Sequence, residues 1–195
     1  MQASIQLPDD PKLRYLLRIG DTCLILGQRL GEWCGHAPII EEDIALTNMA
    51  LDLIGQARGV LTLAGDQCPQ DYDEDQLAFL RDERDYLNPT LAELPRGDFA
   101  FTVLRNLMLS TWMKLLWDRL RDSSDTELAA IAAKALKEAR YHQQHAAEII
   151  RQHTIRHRLI GEEGGIIRGG RRGGSSSTSL SRPLSLIAPF PVLHP

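Results

Sequence analysis

"DPKLRYLLRIGDTCLILGQRLGEWCGHAP", residues 10–38, opens on a helix start and closes on a helix stop. Asp10 offers a side-chain cap, and the Pro11 ring pre-sets the first helical turn. Apolar residues then recur around much of the circumference, the pattern of a helix buried on more than one side. Gly35 and Pro38 end it. Such a helix needs several neighbours, and the next 115 or so residues supply them by the same logic of periodicity and caps. Glu41, Glu42 and Asp43 place negative charge at the positive dipole end of a second helix, DIALTNMALDLIGQARGVLTLAG (43–65), which stops at Gly65. Residues 66–97 form a longer connection holding a short helix, EDQLAFLRDERDYL (74–87). Asp98 caps a third long helix, FAFTVLRNLMLSTWMKLLWDRLR (99–121). Ser124-Asp125-Thr126-Glu127 reads as a capping box ahead of LAAIAAKALKEARYHQQHAAEII (128–150). Two tight helix pairs joined by a long crossover is the connectivity of a ferritin-like four-helix bundle. The expected fold is therefore all-α, a ferritin-like helical domain over residues 1–155, with an irregular α-helical domain as the alternative.

From about residue 156 the chain is rich in Gly, Ser, Arg and Pro and has no helical period, the composition of a disordered tail over 156–195. It reads as a non-native end, such as translation continued in another frame. The alternative is a basic tail that touches nucleic acid. Against that stand a net charge of −4 and a single tail aromatic, Phe190. Three cysteines, Cys23, Cys34 and Cys68, form no CxxC pair, which argues against a disulfide framework or structural zinc and fits a reducing cytoplasm. MQASIQLPDDPK lacks the basic start and apolar run of a signal peptide, and no stretch has the apolar length of a membrane span. The expected setting is cytoplasmic.

Di-iron bundles need a Glu on each of two helices and a Glu-x-x-His pair on each of the others, because that spacing points both ligands inward one turn apart. The first helix offers Asp21 and Gln28, and the second Asn48, Asp52 and Gln56. The third has no carboxylate between Asp98 and Asp118, and the fourth has Glu138 and His142 at i, i+4 with Tyr141 at the motif's imidazole position. This pattern cannot hold two divalent ions, since neutral amides supply no charge to offset them. Asn48, Asp52 and Gln56 read instead as a hydrogen-bonded line in or beside the core. Glu138 and His142, with His145 continuing their face, read as a polar pair at an interface or a solvated surface. Gly55 and Gly59 suggest close approach of another helix, and Trp112 and Trp117 suggest core or interface. Cys34 reads as a small buried hydrophobe and not a nucleophile. No nucleophile elbow, phosphate loop or zinc-protease motif is present, so no catalytic residue is expected.

IGDTCLILGQRLGEWCGHAP (19–38), MALDLIGQAR (49–58), LAFLRDERDYLN (77–88) and KEARYH (137–142) together resemble the PaaC-type subunits of phenylacetyl-CoA epoxidases. The likeness covers roughly residues 12–148, and the long GEWCGHAP match makes it specific. It implies a ferritin-like subunit of a multicomponent monooxygenase that epoxidises the aromatic ring of phenylacetyl-CoA in aerobic phenylacetate degradation. In such a complex the di-iron centre belongs to a related subunit, and the PaaC-type subunit pairs with it as a structural partner without metal. No cofactor is thus expected in this chain and iron is expected in the partner; the alternatives are a di-iron oxygenase subunit in its own right and a helical interaction protein with a nucleic-acid-binding tail. Residues expected at the partner interface are Trp33, His36, Arg81, Glu83, Glu138 and His142. Members of this family continue with further helices after KEARYH, whereas this chain turns into the Gly/Arg/Ser segment, which fits the frame-change reading.

Overall fold

A computed structural model describes residues 4–168, and the side chains of residues 4–153. The remainder of the expected tail, residues 169–195, lies outside the described residues. The described chain is helical throughout, with no strand. Its elements are α1 (Pro11–Gly31), α2 (Ile40–Gly65), α3 (Glu74–Phe79), α4 (Thr90–Glu93), α5 (Phe99–Leu120) and α6 (Thr126–Arg168), with a 3-10 turn at Glu83–Asp85 between α3 and α4. The residues up to Ala147 form one compact unit, a ferritin-like helical bundle built on α1, α2, α5 and the first turns of α6.

The caps follow the sequence closely. The Asp10 carboxylate accepts from the Leu13 amide at 2.7 Å, and the Asp98 carboxylate from the Phe101 amide at 2.7 Å. At the start of α6 the cap is Asp125 alone, accepting from the Leu128 amide at 3.1 Å and the Glu127 amide at 3.2 Å. The Ser123 hydroxyl accepts from the Asp125 amide at 3.1 Å, so the expected box at 124–127 is replaced by an Asp cap steadied from its own N-terminal side. The short helix expected over 74–87 is also broken up. Asp73 and Gln76 form a reciprocal capping box that starts α3, and α3 then ends at Phe79. Asp82 caps the 3-10 turn, so the acids of LRDERDY serve as caps and do not continue the helix.

α1 and α2 pack antiparallel along their length. Leu13, Leu16, Leu17, Leu26 and Leu30 of α1 and Leu46, Met49, Leu53 and Leu61 of α2 are buried, each contributing about 1.5–3 kcal/mol of apolar burial. Close approach depends on glycines of α1 and not on the expected Gly55 and Gly59. A Cβ at Gly20 would lie 2.8 Å from Leu61 Cδ2, and one at Gly27 would lie 3.2 Å from the Ala50 carbonyl oxygen. Gly55 faces open space, and Gly59 has only an ordinary 3.7 Å contact with Ile131. Trp117 is fully buried, whereas Trp112 is 41% exposed.

α6 continues to Arg168, beyond the boundary expected at 155. Its backbone ladder needs helix-competent residues and no apolar face, and IRHRLI (155–160) supplies them. Beyond Ala147 the second unit begins, and there Glu148 is held by Arg151 at 2.6 Å and Gln152 at 2.8 Å on its own helix.

Candidate functional site

The polar residues singled out in the second and fourth long helices meet across the seam between α2 and α6. Gln56, buried in the core, donates its Nε2 to the Glu138 carboxylate at 2.9 Å. Its carbonyl oxygen faces the Cys23 thiol of α1 at 3.7 Å. One turn along, His142 Nε2 donates to the Asp52 carboxylate at 3.1 Å. A further rung sets His145 Nε2 3.3 Å from the Glu42 carboxylate, an ion-pair distance without hydrogen-bond alignment. The rungs descend on α6 as they ascend on α2, as antiparallel helices require.

This geometry corrects the reading of Glu138, His142 and His145 as a solvated face or an i, i+4 pair. Glu138 and His142 do not bond to each other; each reaches across to α2, and His142 is 2% exposed. Of the polar line on α2, Asp52 and Gln56 hydrogen-bond as expected, while Asn48 is exposed and takes no part.

Burial shifts two titratable groups of the seam. Burial lowers the His142 pKa below its ordinary value, against the opposing pull of the Asp52 carboxylate, so the ring is held neutral. Burial, together with the Glu138 and Asp21 carboxylates, drives the Cys23 thiol pKa well above its usual range and keeps it protonated.

Among the described residues no three His, Cys, Asp or Glu side chains converge where a metal ion could sit. The carboxylates of Asp52 and Glu138 already accept from His142 and Gln56, so binding a metal would leave buried donors unpaired.

The remaining interface candidates divide by burial. Trp33 is buried, donating its Nε1 to Thr102 Oγ1 at 3.0 Å and meeting the Phe99 ring edge-on at 5.5 Å, with Arg96 over its face at 4.7 Å. Arg81 is buried in an ion pair with Asp21. These two side chains and His142 are therefore enclosed within the chain, each with a polar partner inside it. His36 and Glu83 are exposed. His36 Nδ1 lies 2.9 Å from the Cys34 carbonyl oxygen, and Glu83 sits in the 3-10 turn. Cys34 is exposed, contrary to expectation, because α1 ends at Gly31 and the chain leaves the core.

The GHAP corner is tied by Asp43, an acid whose sequence position suggests only a role at the helix dipole. The Asp43 carboxylate accepts from the Gly35 amide at 2.7 Å and the Ala37 amide at 3.4 Å, while Gly35 takes the left-handed φ of 78°. The Asp21–Arg81 pair is not anticipated by the sequence reasoning at all. Its one signal is a lone acid on the apolar face of α1, since a charge buried there needs an opposite charge nearby.

Comparison with known proteins agrees with this architecture. A protein of Escherichia coli (strain K12) that is one of the subunits of 1,2-phenylacetyl-CoA epoxidase is 56% identical over 128 residues, 66% of this chain and 51% of the relative. The chain thus spans about half the length of this curated relative. No helix among the described residues is long and apolar enough to cross a membrane. The family described as phenylacetic acid catabolic protein matches residues 1–154. The chain belongs to the phenylacetic acid catabolic protein family.

Proposed function

We propose that the chain is a non-catalytic structural subunit of a phenylacetyl-CoA ring-epoxidising monooxygenase, acting in the cytoplasm in aerobic phenylacetate degradation. It pairs through its helix faces with the subunit that holds the di-iron centre, and it binds no iron itself. The observation that carries this reading is the internal pairing of the α2–α6 seam. Gln56 pairs with Glu138 and His142 with Asp52, and among the described residues no three His, Cys, Asp or Glu side chains come together as a metal site, which supports the reading. The name of the Escherichia coli relative supports the choice of complex.

Co-expression with the catalytic subunit of the same complex tests the pairing. The expected result is a 1:1 assembly on affinity purification of a tagged chain and co-elution on gel filtration. Elution of the chain alone, from cells that contain soluble catalytic subunit, would overturn it.

A further inference from the structure

Two residues of α2 have no use inside the chain. Gly55 sits in mid-helix, where glycine weakens a helix relative to alanine, yet a Cβ there would meet nothing within 4 Å. Asn48 is exposed and takes no part in the α2–α6 seam. Both lie on one outward stripe. Glu41, Ile44, Asn48, Leu51, Gly55 and Arg58 are all exposed and follow one another at alternating spacings of three and four. That is the period at which one helix seats along another. Ile44 and Leu51 are 55% and 62% exposed, and Ile54 beside them is 42% exposed.

The stripe is complementary to itself when two copies run antiparallel. In the register that sets Asn48 beside Leu51 of the second copy, Ile44 falls opposite Gly55 and Glu41 opposite Arg58. Each pairing then occurs twice about the twofold axis. The branched Ile44 side chain meets the one position of the stripe that has no side chain, which lets the two backbones close up. The Glu41 side chain has no partner among the described residues. Arg58 donates only its Nε, to Glu74 at 2.9 Å, so its terminal nitrogens remain for a second carboxylate. Asn48 stands next to the axis, within reach of its counterpart, as a polar seam residue of the kind that fixes register. Other arrangements lose these matches. Sliding the second copy by one heptad sets Arg58 against Asn48, or Glu41 against Leu51. Parallel pairing sets Glu41 against Glu41 and Arg58 against Arg58.

We propose that the outer face of α2 is a self-association surface, on which two copies of the chain pair antiparallel as a twofold dimer. Ile44, Asn48, Leu51 and Gly55 form its centre, with Glu41 and Arg58 closing each end. This goes beyond the subunit reading and does not depend on it.

Sedimentation equilibrium of the full chain over a series of concentrations tests it. The expected result is a monomer–dimer equilibrium. Leu51→Glu should abolish the dimer and leave the melting curve of the dilute chain unchanged, because Leu51 is exposed in the monomer. Glu41→Arg and Arg58→Glu should each weaken association roughly tenfold, since each sets like charges opposite one another. An equimolar mixture of those two variants should restore it, because opposite charges then face each other at both ends. Gly55→Ala separates contact from stability: it should weaken association while raising the thermal midpoint of the dilute monomer. A chain that stays monomeric at every concentration, a dimer that survives Leu51→Glu, or a mixture that associates no more tightly than the separate variants would overturn the proposal.

Discussion

The Arg81 guanidinium and the Asp21 carboxylate, 60 residues apart in sequence, form a two-pronged ion pair in which neither side chain is exposed. The pair ties the crossover connection to the middle of α1. Asp21 also accepts from the Leu87 amide at 2.9 Å, and the guanidinium stacks on Tyr86 at 4.5 Å, so both charges are fully engaged. Removing one partner leaves the other charged and buried. Asp21→Asn or Arg81→Met is expected to cost about 3–5 kcal/mol in urea unfolding. The double variant Asp21→Leu/Arg81→Met should cost clearly less than the sum, because no charge is then stranded. Additive losses, or a single-variant loss below about 1 kcal/mol, would refute this role.

His142 makes stability depend on pH. Its folded pKa lies below the unfolded value of about 6.5, chiefly through burial, with Asp52 and Glu138 pulling upward and His145 downward. The unfolded chain therefore binds the proton more readily. The contribution is fully present above about pH 6.5 and is lost as pH falls through the folded value. Unfolding free energy should decline from pH 7 toward pH 5, and the decline should be shallower in His142→Gln, whose amide can still donate to Asp52. An identical pH slope in wild type and variant would contradict the assignment.

Two glycines of α2 should respond oppositely to alanine. A Cβ at Gly55 meets nothing within 4 Å, so Gly55→Ala should stabilise by about 0.5–1 kcal/mol through helix propensity. A Cβ at Gly65 would collide with the Tyr72 carbonyl oxygen, and a clash with backbone has no easy relief. Gly65→Ala should lower the thermal midpoint by several degrees while Gly55→Ala raises it. Shifts of the same sign would show that the turn after α2 is not packed as described.

The fold was legible where local chemistry sets it. Asp10, Asp98 and Gly65 mark helix ends through caps that depend on a few neighbouring residues. The crossover was less legible, because Asp73 and Asp82 act as caps in a stretch whose composition also suits one continuous helix. Long-range pairing was hidden for a different reason. Periodicity places Glu138 and His142 near one another on a helix, but it cannot say that each bonds to a different residue of α2. The same limit concealed the partner of Asp21 and the fact that Gly20, and not Gly55, sits under a neighbouring helix.

Where the iron resides tests the central claim most directly. The tagged chain is co-expressed with the catalytic subunit in iron-supplemented cells, the complex is purified, its polypeptides are separated under non-denaturing conditions, and iron is quantified in each. The account predicts iron in the catalytic subunit and only trace iron in this chain. Stoichiometric iron retained by this chain would contradict it.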